Sequence, residues 1–278
     1  MMKIGFFGGI YNNYLALDAA IQDAYARGAD RLYCLGDLGA FGPYPDRVFP
    51  LLYEHGIDCV QGNYDHSVGN HLQDCQCGYT DPRDNRFAQI SYDYTFEHTG
   101  TANRDWMRNL PSEIRLDING VAVHLCHGSP RKTNEFLWES TTSTHFLNRL
   151  ANESKADLIL GTHSGIHWQR ELSHGRMFVN AGVLGRPEND GTTNVWYTLI
   201  EFPDSGQGTT GQGAAERGAT GHCRYSVEFI PLAYDHKRLA REMLDEKLPQ
   251  EFAETVLTGW WTTCLEVLPG KERRRGQF

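Results

Sequence analysis

A layered α/β/β/α sandwich of two mixed sheets is the fold class this sequence predicts, and three observations carry it. Up to Asp65, short apolar runs alternate with amphipathic helical stretches, the pattern of parallel strands joined by helices. Further on, Asn119-Gly120 joins two alternating runs, the strongest short hairpin signal, so antiparallel pairing enters as well. Finally, polar ligand-capable residues sit where apolar runs end, as they do at the carboxyl edge of an α/β sheet.

The elements follow in chain order. "KIGFFGG" is a strand ending in glycines, and "YLALDAAIQDAYARGAD" after it places Leu15, Leu17, Ala20, Ile21 and Ala24 on one helical face. "RLYCLGD" is a buried strand ending at Asp37, "RVFPLLYEHG" a short helix, and "IDCVQGNYD" a strand ending at Asn63 and Asp65. The chain then turns polar and irregular before helical "RFAQISYDYTFEHT" and "ANRDWMRNLP". "EIRLDINGVAVHLCHGSP" is the hairpin, so His127 also ends a strand, and "ADLILGTHSG" is a buried strand ending at His163. "RMFVNAG", "NVWYTLIEF" and "RYSVEFIPL" read as strands of an antiparallel-rich second sheet. The expected layout is one domain over 1–278, with a cap-like insertion at about 66–112, a flexible Gly- and Thr-rich loop at about 204–222 and a helical tail at about 234–278.

A chain of 278 residues with 40% hydrophobic residues can bury a full core. Its net charge of -9 disfavours nucleic acid as a partner, because polyanions are drawn to basic fields. No apolar run reaches the roughly 20 residues a membrane helix needs, and the start lacks the basic region of a signal peptide, so the expected location is cytoplasmic. Seven scattered cysteines then read as reduced, mostly buried thiols. Cys75 and Cys77 in "DCQCGYTDPRD" are spaced too tightly for paired zinc ligands, so that stretch reads as a turn-rich loop.

Four strand ends share one local grammar: an apolar run, a small residue, then Asp37, Asn63, His127 or His163. Two histidines, a carboxylate and an amide oxygen on one sheet edge suit a divalent transition metal such as manganese, iron or zinc.

The order Gly-Asp, Gly-Asn-x-Asp, His-Gly-Ser-Pro and Thr-His resembles the calcineurin-like metallophosphoesterases, from "KIGFFGGIYNNYLAL" to "VNAGVLGRPENDG". The resemblance implies two mixed sheets flanked by helices, with a two-metal site at one end. It also implies that one metal's ligands, Asp37, Asn63, His127 and His163, are complete. Those of the other are depleted, since Gly9, Tyr11 and Gly165 stand where an aspartate and two histidines would be. Tyr64 stands where the general-acid histidine would be, and Asp65 would support that position. Every loss touches one metal and the adjacent acid, which identifies a divergent subgroup.

The resemblance implies a metal-dependent phosphoesterase acting on a small phosphorylated compound, with one or two metals per chain. A non-catalytic metal- or nucleotide-binding regulator is the alternative, and another metal-assisted hydrolytic or lyase step a third reading. Tyr11 is expected to donate to a phosphoryl oxygen, to coordinate the metal or to fill vacated volume. Tyr64 is a weak acid for its position, with a reference pKa of about 10. Asn13, Arg131 and Arg186 are the substrate-binding candidates, the arginines by gripping phosphate. Glu135 and Glu139 lie four apart, and on a helix they would share a face from which to rebuild the lost half-site.

Overall fold

Strand β1 (Met2–Phe7) sends Ile4 and Phe6 to one side and Phe7 to the other, and this alternation sets up the layers of the molecule. In the computed structural model, which describes residues 1–204 and 225–274, Phe7 packs in one core with Ala16, Leu17, Ala20, Ile21 and Ala24 of helix α1 (Tyr14–Ala26). Ile4 and Phe6 pack instead in a second core with Val123 and Leu125, Leu158 and Leu160, and Val179, all from the opposite sheet.

The chain continues through β2 (Arg31–Cys34), α2 (Val48–Glu54), β3 (Asp58–Cys59), α3 (Asn63–Gly69), α4 (Pro82–His98) and α5 (Thr101–Arg108). Next come the hairpin of β4 (Glu113–Ile118) and β5 (Val121–Cys126), α6 (Thr144–Ser154), β6 (Leu158–Gly161), β7 (Trp168–Glu171) and β8 (Met177–Asn180). Asn119 and Gly120 both adopt left-handed φ, 53° and 80°, as a tight hairpin turn requires. The last elements are β9 (Val195–Phe202), β10 (Ser226–Leu232), α7 (His236–Asp245), α8 (Gln250–Thr258) and α9 (Gly270–Arg273).

One sheet has the order β10-β9-β1-β2-β3 and the other β4-β5-β6-β8-β7. Both are mixed: β1, β2 and β3 pair in parallel, as do β5, β6 and β8, while β9, β10, β4 and β7 pair antiparallel. Helix α6 covers the outer face of the second sheet through Leu147, Leu150 and Ala151, against Ile159 and Phe178. The predicted layered sandwich is therefore the observed fold.

Two local expectations are corrected. β9 and β10 belong to the first sheet rather than the second. β9 lies between β10 and β1 and is buried on both faces, and a strand's own pattern does not specify which sheet receives it. The strand expected to run to Asp65 ends at Cys59, and Asn63 instead opens α3, with Gly62 extended at its N-cap. The stretch expected as a flexible loop at about 204–222 lies, apart from Asp204, outside the described residues. Among the described residues no helix is long and apolar enough to cross a membrane.

Candidate metal centre

The two glycines of the Gly-Asp and Gly-Asn turns are explained by each other. A Cβ on Gly36 would lie 2.4 Å from the Gly62 nitrogen, and one on Gly62 would lie 2.3 Å from the backbone nitrogen and Oδ1 of Asp37. Only bare backbone lets the loops after β2 and β3 touch. Gly36 and Asp37 both take left-handed φ there, 89° and 58°.

Asp65 ties these loops together from beneath. Its Oδ2 accepts from the backbone N–H of Asp37 and of Gly62, each at 2.8 Å, and its Oδ1 accepts from Leu38 N–H at 3.0 Å. Burial, and then the Asp37 charge, push its carboxyl up to about 6. With both oxygens accepting from backbone N–H groups, Asp65 positions the turn.

Asp37 Oδ1 accepts from Tyr64 N–H at 3.0 Å, and Oδ2 lies 3.2 Å from His127 Nε2. Burial works to raise this carboxyl, but the His127 and His163 imidazoles hold it below the ordinary carboxylate value. His127 Nδ1 faces the Leu35 carbonyl at 2.7 Å, and His163 Nε2 faces the Cys77 carbonyl at 3.3 Å. Those carbonyls assign the outward nitrogens as N–H donors. The inward nitrogens, His127 Nε2 and His163 Nδ1, lie 3.1 Å apart, and the two imidazoles with Asp37 offer ligand atoms within 4.8 Å of one another. Burial, then the His127 neighbour, push His163 down to about 3, which keeps it a neutral donor. His127 is raised, because Asp37 outweighs burial's downward pull. Asn63, in the neighbouring Gly-Asn turn, donates from Nδ2 to Cys75 O at 2.8 Å, while its Oδ1 is buried with no hydrogen-bond partner. Two converging imidazoles, a carboxylate and an orphaned amide oxygen, which is costly to bury unpaired, fit a bound cation.

Tyr11 fills the space beside Gly9, where the resemblance implies the second half-site. Its ring lies where a Cβ on Gly9 would come within 2.3 Å and one on Gly185 within 2.2 Å. Burial and the Asp37 charge push its phenol well above the ordinary tyrosine value, so it stays protonated. Glu135 does not rebuild this half, because it pairs with Arg131 and accepts from Ser129 Oγ. Glu139 is exposed and pairs with Lys271 at 3.1 Å. Arg131 is likewise a surface residue, paired with Glu135 and stacked over Phe146, and is not among the residues lining the cavity at Asp37 and His163.

Tyr64 lines the site, but its hydroxyl is 3.1 Å from Ser91 Oγ and 3.3 Å from the Ala88 carbonyl of α4. Burial pushes its phenol far above neutrality. Its hydroxyl thereby fastens α4 to the turn that carries Tyr64. Asn13 is the N-cap of α1, with Oδ1 accepting from Ala16 N–H at 3.1 Å and Nδ2 donating to Leu184 O at 3.0 Å. Its side chain is thus spent on backbone, steadying the segment that carries Arg186. Arg186 does reach the site, lining a cavity of about 50 Å³ with Tyr11, Asp37 and His163.

Two contributors carried no usable signal in the sequence. Cys75 and Cys77 form a disulfide, which corrects the expectation of reduced thiols at these positions; Cys34, Cys59, Cys126 and Cys264 are free and buried, and Cys223 lies outside the described residues. The loop they close supplies the carbonyls that hold Asn63 and His163. The tail stretch "WWTTC" brings Thr263 and Cys264 into the cavity wall and Trp261 against Arg186. Only their aromatic and cysteine content could have hinted at burial.

A buried carboxylate and two imidazoles, converging where strands of two facing mixed sheets end, form a candidate metal centre on a phosphoesterase-like fold. The model of the calcineurin-like phosphoesterase superfamily domain matches residues 2–202, and the chain belongs to that superfamily. It is similar to an uncharacterised protein of Methanocaldococcus jannaschii, MJ0912, at 23% identity over 92% of this chain and 98% of that one. The fold is similar to the crystal structure of hypothetical protein PH1004 from Pyrococcus horikoshii, with a TM-score of 0.73 and 20% identity, covering 94% of this chain and 100% of that one. It is also similar to a metallophosphoesterase from Sphaerobacter thermophilus, with a TM-score of 0.66 and 20% identity, covering 93% of this chain and 99% of that one.

Proposed function

We propose that this chain is a metal-dependent phosphoesterase with a single-metal centre, acting on a small phosphorylated compound. The observation that carries the reading is the convergence of Asp37, His127 and His163, whose ligand atoms lie within 4.8 Å of one another, with the buried Asn63 Oδ1 left without a hydrogen-bond partner. Asp37, Asn63, His127 and His163 would hold manganese, iron or zinc. When bound, such an ion polarises a phosphoryl oxygen and makes a bound water more acidic.

The remaining work belongs to the chain itself. Asp65 keeps the two ligand loops in register, and the Leu35 and Cys77 carbonyls fix the imidazole tautomers. The protonated Tyr11 lines the cavity, where its phenol would serve as a hydrogen-bond donor. No imidazole stands at the Tyr64 position, so esters with good leaving groups are the substrates this site turns over best.

The test is p-nitrophenyl phosphate hydrolysis by the manganese-loaded protein and its Asp37→Asn variant. Turnover and bound metal are expected to fall together, turnover by more than about a hundredfold. A folded variant that lost its metal and kept its turnover would reject the proposal. The missing acid favours a second reading, a metal-binding regulator on the same scaffold. Under it the wild type binds metal and hydrolyses no ester at all.

A further inference from the structure

Arg186 is 7% exposed and its Nε has no hydrogen-bond partner. Among the described residues its side chain makes no hydrogen bond or ion pair with a carboxylate; its guanidinium instead lies 3.5 Å from the centre of the Trp261 ring and 5.9 Å from that of Phe41. Trp261 is itself fixed, donating from Nε1 to Pro187 O at 2.6 Å and from its backbone N–H to Asn189 Oδ1 at 2.9 Å. Stacking on an aromatic face offsets only part of the cost of burying a guanidinium, and the remainder calls for an anion.

The room for that anion is on the page. Arg186 shares its cavity with Asp37 and His163 of the metal centre and with Tyr11 and Thr263. The Thr263 hydroxyl is buried without a hydrogen-bond partner, as Arg186 Nε is. The volume of about 50 Å³ gives room for the oxygens of one tetrahedral anion. Trp261 and Thr263 lie beyond the matched domain, residues 2–202, so this wall is contributed by the chain's own tail.

We infer that Arg186, backed by Trp261 and joined by Thr263 and Tyr11, forms a phosphoryl-binding subsite beside the single metal, in the place the second metal would occupy. It accepts the terminal phosphoryl group of a monoester, whose one substituent needs one exit; a diester needs two. The inference rests on the single-metal reading for its role in the reaction, but the subsite binds phosphate on its own account.

The experiment is calorimetric titration of inorganic phosphate into wild type, Arg186→Gln, Thr263→Val and a surface control, Arg131→Gln. Each is titrated both manganese-loaded and chelator-treated, with metal content measured on the same samples. Arg186→Gln is expected to weaken phosphate binding by about ten- to hundredfold in whichever sample binds it, and Thr263→Val by about two- to tenfold. Arg131→Gln is expected to match wild type, and dimethyl phosphate to bind wild type at least about tenfold more weakly than phosphate. If Arg186→Gln fails to fold, the near-isosteric Thr263→Val decides. Three results overturn the subsite: unchanged affinity in a folded Arg186→Gln, equal loss in Arg131→Gln, or no phosphate binding by wild type in either sample. Metal loss with phosphate discrimination intact would instead strike the single-metal reading and leave the subsite standing.

Discussion

The Tyr11 ring occupies the space that a side chain at position 9 would need, so the two departures from the family pattern at Gly9 and Tyr11 are one steric event. An aspartate at 9 and a tyrosine at 11 cannot both be seated without movement of backbone or ring. Gly9→Ala alone is therefore expected to cost about 1–3 kcal/mol, and in a Tyr11→Ala background the same change is expected to cost nearly nothing. Urea unfolding of the four proteins of that cycle measures the coupling, and additive costs would contradict it. At this scale the converging residues Asp37, His127 and His163 were legible, because each ends an apolar run. The roles of Tyr64, Arg131, Glu135 and Glu139 were not, because a side chain's partner lies far away in sequence: Tyr64 with Ser91, Glu139 with Lys271.

At the scale of elements, the β4–β5 hairpin shows how burial sets a pH response away from the site. His124 on β5 is buried, and its Nε2 lies 2.8 Å from Glu113 Oε2 on β4. Burial, then Arg115, pull the imidazole below its ordinary 6.5, and the Glu113 carboxylate only partly opposes them. The unfolded chain therefore takes up this proton before the native one does. The stability from His124 is complete above about pH 6.5 and is lost as pH falls from there toward the lower native value. In urea unfolding between pH 7.5 and pH 5, wild type is expected to lose more stability than His124→Gln, whose acid limb should be flatter; parallel losses would show that His124 is not depressed. The hairpin itself was readable from Asn119-Gly120, since that turn demands two left-handed residues. The destination of β9 was not, because its apolar run fits the interior of either sheet and long-range pairing decides the matter.

At the scale of the whole molecule, two sheets place four strand ends on one edge, and segments far apart in sequence close over them. The loop of Cys75 and Cys77 holds Asn63 and His163, the segment after β8 brings Arg186, and the tail after α8 brings Trp261 and Thr263. The layered fold was legible because strand periodicity and glycine punctuation are local. The closing segments were not, since nothing local marks a tail or a tight Cys-x-Cys loop as belonging to a site. The central claim is that this assembly holds one metal and leaves the second position to Tyr11 and Arg186. Elemental analysis of metal per chain, on protein purified without chelators or affinity metal, tests it most directly. One divalent ion per chain, lost in His127→Ala, is the predicted result; two per chain, or none after exposure to manganese, iron and zinc, would contradict it.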